Sequence, residues 1–257
     1  MLGDVLEVET SNGVSSITND GVDENGTNIP PGWLRQRAIA SLAVDPYLNS
    51  GPKFMEGLSA ALSLHGAQLS NAKKTLDFGC SGGRLVRALP EFSNAAMFGC
   101  DSDGEAVKWC AENLNGEFVH NGEYPPLPWD DNSFDIIYAI SVLTHMDQEH
   151  QDAWLNEWRR VLKPGGLIFA TFKDVGIEAP KMSQMDQVKC AKMIEETGGM
   201  YSTHTRFHEG IFENYYQLAL HHPDYVRSHW GAIMEVKEII SREGSFISQE
   251  AAILQKA

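Results

Sequence analysis

The chain is poor in cysteine. Its four cysteines, Cys80, Cys100, Cys110 and Cys190, include no CxxC pair. That spacing argues against a zinc knuckle and a disulfide framework, and buried, reduced thiols are the expectation. Long apolar runs are missing too: none reaches the roughly 18 to 20 residues that a membrane span needs. The opening MLGDVLEVET has no basic n-region, so it does not read as a secretory signal, and a cytoplasmic location is expected. Basic residues are scarce. Twenty Lys and Arg face 35 Asp and Glu, giving a formal charge of −15. Such a surface repels phosphate backbones and anionic membranes, and no basic stripe interleaved with aromatics offsets it. Neither nucleic acid nor membrane is an expected partner. Residues 1–28 hold six acids and no Lys or Arg, among many Gly, Ser, Thr and Asn. They read as a disordered acidic tail, with one folded domain over 29–257.

What the chain has in quantity is alternation. A stripe of Phe54, Leu58, Ala61, Leu62 and Leu69 at helical spacing also carries His65, which suits a core position better than a ligand role. Then KTLDFGC reads as a strand, RLVRALPEF as a helix, AAMFGCD as a strand, GEAVKWCAENL as a helix and GEFVH as a strand. SFDIIYAIS is apolar on both faces, as a central parallel strand should be. EHQDAWLNEWRRVL is a helix, KPGG a turn, and LIFATF another buried strand. Beyond Phe172 a helical stretch near QMDQVKCAKMIEE precedes an aromatic and histidine-rich segment. AIMEVKEII and QEAAILQKA then read as two terminal strands. This order predicts an α/β, doubly wound fold: a mainly parallel seven-stranded Rossmann-like sheet with a terminal antiparallel strand pair and an insertion before strand six. The insertion, residues 173–231, is placed to cover the carboxyl edge of the sheet.

Between the first strand and helix lies Asp77-x-Gly79-x-Ser81-x-Gly83. A glycine turn there lets a ligand approach the backbone, and a helix start offers unpaired N–H groups. The next strand ends in Asp101, 22 residues after Gly79. An acid so placed can accept hydrogen bonds from both hydroxyls of a ribose. Loop, acid and alternation together indicate a nucleoside-containing ligand. Dinucleotide oxidoreductases favour GxGxxG, and the third position of that pattern is here Arg84.

The loop resembles motif I of the class I S-adenosylmethionine-dependent methyltransferases, (D/E)xGxGxG, with Ser81 for the middle glycine. The resemblance extends over about residues 30–257 through GCDSD, NGEYPPLPWDDNSFDIIYAISVLTHM and WRRVLKPGGLIFATF. DYVRSHWG and QEAAILQKA resemble the tail of a bacterial subgroup of small-molecule methyltransferases. The resemblance implies S-adenosyl-L-methionine as cofactor. It implies backbone contacts from Gly79, Cys80, Ser81 and Gly83 and a place for Asp77 near the ammonium. Asp101 would hold the ribose, Ser102 the adenine face, Glu123 and Tyr124 the adenine edge, and Ser141 the methionine moiety. From the residues alone, Asp77 equally suits tying down the turn, Glu123 a solvated loop position, and Asp101 a helix cap, for which Asp103 is the better candidate.

Methyl transfer to an oxygen or nitrogen acceptor gains from a general base, and histidine is the usual one. His145, just past the fourth strand, and His221 in the insertion are the candidates, with Tyr216, His222 and Tyr225 expected against the acceptor. His204 and His208 have metal-compatible spacing, but no HExxH and no nearby cysteine pair accompany them, and no metal is expected. The implied function is methyl transfer to a small molecule. A non-catalytic S-adenosylmethionine-binding sensor or scaffold is the alternative. Oligomeric state is not legible.

Overall fold

A computed structural model describes residues 19–203, 217–243 and 246–257. Two helices, α1 (Gly32–Ile39) and α2 (Val44–Ser63), precede the sheet. Its strands β1 (Lys74–Phe78), β2 (Ala96–Asp101), β3 (Glu117–His120), β4 (Phe134–Ala139) and β5 (Leu162–Phe172) pair in parallel. The helices α3 (Gly104–Asn113) and α4 (Gln148–Val161) make two of the crossovers. After β5 come α5 (Val175–Glu178), α6 (Gln184–Thr197), β6 (Gly199–Thr203), β7 (Gln217–His221) and α7 (Pro223–Ser228). The terminal strands β8 (Glu235–Ile240) and β9 (Glu250–Gln255) complete a seven-stranded sheet of order β3-β2-β1-β4-β5-β9-β8. β9 is antiparallel to both its neighbours, as the two terminal apolar runs predict.

The strand order reverses between β1 and β4. Chain leaving β1 turns one way and chain leaving β4 the other, so a crevice opens at their carboxyl ends. Both sheet faces are covered. Phe54, Met55, Leu58 and Leu62 of α2 pack on one face against Tyr138 and Phe169. On the other, Trp154 and Trp158 of α4 meet the ring of Phe78 edge-on at 4.7 and 4.9 Å. Burying such side chains contributes about 1.5–3 kcal/mol each, so the floor of the crevice is rigid. His65 is half-buried rather than part of the core: its Nε2 lies 2.7 Å from Glu238 Oε2 on β8.

Four expectations need correction. RLVRALPEF keeps its apolar face, with Leu85, Ala88 and Leu89 buried, but it is a 3-10 helix over Val86–Glu91. Pro90 has no N–H to donate, and its ring crowds the carbonyl four residues back, so an α-helix cannot continue. KPGG is no chain reversal. β5 runs through it, and the register with β4 slips between Phe134 and Ile136. The insertion holds an unforeseen two-stranded antiparallel sheet of β6 and β7.

The fourth correction concerns the tail. Residues 1–18 lie outside the described residues, but residues 19–28 are tied to the domain. The side chain of Asn19 accepts from Trp109 Nε1 at 2.7 Å, and Asp20 pairs with Arg35 at 2.8 Å. Asp23 pairs with the buried Arg87, whose Nη1 also donates to Asn28 O at 2.9 Å. Burial works against the Asp23 carboxylate, but bonds from Thr27 N–H and Arg87 outweigh it and hold the acid below its usual range. Removing residues 1–28 leaves Arg87 without its counter-charge. Breaking such a pair costs about 3 kcal/mol, which should lower the melting temperature by about 5–10 °C. An unchanged melting temperature would return the segment to the status of a tail.

Candidate functional site

The glycine turn sits at the β1–β4 crevice. Gly79, Ser81 and Gly83 all have positive φ, +84°, +44° and +77°. At Gly79 an added Cβ would lie 2.4 Å from Val142 Cγ2, so no larger residue fits. Ser81 adopts the left-handed region at a cost of roughly 1 kcal/mol. The turn is held from beneath. Gly79 N–H and Cys80 N–H both donate to Cys100 O at 2.8 and 3.0 Å. Tyr47 Oη on α2 donates to Gly82 O, and the Cys110 thiol donates to Ser81 O at 3.2 Å.

Beside the turn, Asp101 ends β2 with both oxygens engaged. Oδ2 accepts from Ser81 N–H at 2.7 Å and Oδ1 from Asp103 N–H at 2.8 Å. Burial raises its pKa to about 6, against the pull of those two N–H groups. It is not a helix cap. Asp103 caps α3, accepting from Glu105 N–H and Ala106 N–H.

Asp77 is 2% exposed, and its Oδ2 has no hydrogen-bond partner among the described residues. Burial raises its pKa to about 8, with Arg84 pulling it down and Asp101 pushing it up. The unfolded chain releases this proton near its ordinary value of 3.8. Between about pH 4 and pH 8 the folded protein therefore holds more protons, and its stability falls as pH rises through that window. Asp77→Asn should flatten this slope and stabilise the protein at pH 8 by more than about 1.4 kcal/mol, roughly tenfold in the folding equilibrium. Parallel slopes in chemical denaturation of wild type and variant would contradict this.

A cavity of about 340 Å³ opens over the turn, within the range of about 300–1,000 Å³ typical of small-molecule sites. It brings together Gly79, Ser81, Asp101, Ser102, Ser141 and His145 from three chain segments. Ser141 has φ +60°; its N–H donates to Thr171 Oγ1 at 2.7 Å and its Oγ accepts from Gln249 at 3.0 Å. His145 Nδ1 lies 3.0 Å from Gln217 O on β7. A carbonyl only accepts, so Nδ1 carries the proton and Nε2 is the basic nitrogen.

Other expected site residues stand elsewhere. Asp77, Cys80 and Gly83 do not line the cavity. Glu123 Oε1 is drawn 2.8 Å from His150 Nε2, and the Tyr124 ring stacks on His150 at 4.4 Å. Asn121 and Gly122 face the cavity instead. His221 is 1% exposed, with Nε2 2.9 Å from the amide of the fully buried Gln151. Burial, helped by the charge of His229, depresses its pKa to about 3. It is a neutral core histidine, sealed from the cavity. Tyr225 stacks between His221 at 4.9 Å and His229 at 4.8 Å. His222 caps α7, accepting from Asp224 N–H at 3.2 Å. Tyr216, His204 and His208 lie outside the described residues. The motifs missed one wall altogether: residues 36–40, at the end of α1, also line the cavity. IPPGWLRQR was the available signal, a proline-stiffened lead-in with two arginines.

The buried acid, the turn and the cavity fit a nucleoside sulfonium. Residues 76–170 match the model of a methyltransferase domain family. A sterol 24-C-methyltransferase of Schizosaccharomyces pombe is 31% identical over 100 residues, 37% of this chain and 26% of that protein. A tRNA N(3)-cytidine methyltransferase of Gallus gallus is 30% identical over 110 residues, 38% of this chain and 30% of that protein. The chain thus spans under a third of the length of these two curated relatives. The fold is that of a Burkholderia thailandensis 1,6-didemethyltoxoflavin-N1-methyltransferase, solved with S-adenosylhomocysteine: TM-score 0.54 and 14% identity, over 83% of this chain and 81% of that one. The family match runs from β1 into β5, through the strands whose ends build the cavity, so the likeness to a methyltransferase domain lies in the part of the chain that forms the crevice.

Proposed function

We propose that the chain transfers the methyl group of S-adenosylmethionine to a small-molecule acceptor, at oxygen or nitrogen. The observation that carries this reading is His145 lining the same cavity as Gly79, Ser81, Asp101 and Ser141. Bound there, the cofactor supplies an electrophilic methyl on sulfur, so the protein's task is to align and deprotonate a nucleophile. Asp101 holds the ribose, Ser102, Asn121 and Gly122 border the adenine, and Ser141 borders the methionine moiety. His145 takes the proton. Its tautomer is fixed through Gln217 O, so Nε2 accepts the proton from the acceptor's O–H or N–H as the freed lone pair attacks. Residues 173–231 cover the acceptor side, a role supported by the bond from β7 to His145.

The formal charge of −15 favours a small acceptor over a polyanion. The relatives named above methylate a sterol, a tRNA and a toxoflavin precursor by their names, so likeness in the cofactor half leaves the acceptor open. Incubation with methyl-labelled S-adenosylmethionine and a protein-free metabolite extract, and separately with tRNA, tests the reading. Label in the small-molecule fraction, matched by S-adenosylhomocysteine, is expected. Label in tRNA would overturn the acceptor class. Cofactor binding without label in any fraction would favour a sensor.

A further inference from the structure

The wall built by α1 lies outside the stretch that matches the methyltransferase family. Its one charged residue in the cavity lining is Arg37, whose side chain is 9% exposed. Nη1 lies 2.8 Å from Asp103 Oδ2 and 3.0 Å from Glu105 Oε2, and the guanidinium sits 4.5 Å over the ring of Trp33. Nε is buried and has no acceptor among the described residues. A buried donor left unmade costs about 1–3 kcal/mol, more on a charged group.

We propose that Arg37 is a cofactor-contact residue, donating a hydrogen bond from its guanidinium to the adenosine half of bound S-adenosylmethionine. The inference rests on the cofactor reading above. Two observations place the contact on adenosine. Arg37 is bound to Asp103, which follows Asp101 and Ser102 at the end of β2, and all four residues line the cavity. There the available acceptors are ring nitrogens and ribose oxygens. Its charge is also already matched by Asp103 and Glu105. What remains to offer is a directed N–H, which suits a neutral acceptor better than a carboxylate.

Calorimetric titration of wild type, Arg37→Met, Arg37→Lys and Glu105→Gln with S-adenosylhomocysteine and with 5′-methylthioadenosine tests this. The second ligand keeps the adenosine and lacks the amino-acid carboxylate. Arg37→Met should weaken both ligands roughly tenfold. Arg37→Lys keeps the charge but not the planar fork, so it should lose as much, and it decides the matter if the methionine variant does not fold. Glu105→Gln, outside the cavity, should stay within about twofold, since an exposed partner contributes little. Loss for S-adenosylhomocysteine alone would reassign Arg37 to the carboxylate and overturn the proposal. Unchanged affinity in the lysine variant, or equal losses in the arginine and glutamate variants, would reduce Arg37 to a tie between α1 and α3. A wild type that binds neither ligand would instead sink the cofactor reading itself.

Discussion

Replacing His145 by alanine is expected to lower turnover roughly 10²–10⁴-fold, the usual worth of a positioned general base. Affinity for S-adenosylmethionine should change little, because the contacts proposed for its ribose and methionine moiety come from the ends of β1, β2 and β4. The tautomer is the reason for choosing this histidine over the others. Gln217 O fixes the proton on Nδ1, so the ring's lone pair is on Nε2. His145→Ala turning over at the wild-type rate from pH 6 to 9 would remove the base from the mechanism. His221→Ala, by contrast, should cost stability rather than chemistry, since that ring is a stacked, neutral part of the core.

Asp101→Ala should weaken cofactor binding by about 1.5–3 kcal/mol, roughly 10- to 150-fold, the worth of a hydrogen bond to a charged group. Two effects combine. The variant loses the acceptor proposed for the ribose, and it frees Ser81 N–H from its bond to the carboxylate. pH separates cofactor binding from stability. Burial raises the Asp101 pKa to about 6. Cofactor affinity of the wild type should therefore fall as pH drops through about 6 and the carboxylate is neutralised. Stability of the unbound protein runs the other way: this acid's contribution is fully present below its ordinary value of 3.8 and is lost as pH rises through about 6. Asp101→Asn should abolish both dependences. A variant that binds S-adenosylhomocysteine as wild type does would end the ribose assignment.

Features set by neighbours in the chain were legible in the sequence. The doubly wound order follows from apolar runs and their spacing. Asp101, Ser102, Ser141 and His145 were found because each sits at or just beyond a strand end, and the parallel sheet gathers those ends into one place. Features set by distant partners were not. Glu123 matches its motif position, yet His150, on α4, turns its carboxylate away. His221 looked like a base because the sequence hides Gln151 and Tyr225, which seal it in. Acidic composition suggested that residues 19–28 hang free, while Arg87 and Trp109 supply the partners that composition cannot reveal. Arg37 went unnoticed for the same reason: Asp103, the buried carboxylate that places it, lies more than sixty residues away.

Calorimetric titration of the full chain with S-adenosylhomocysteine, beside an identical titration with NAD, probes the cavity's ligand class directly. Binding of S-adenosylhomocysteine at one site per chain, with no heat from NAD, is the expected result. Saturable binding of NAD with none of S-adenosylhomocysteine would contradict it and assign the turn at Gly79 and the acid at Asp101 to a dinucleotide instead.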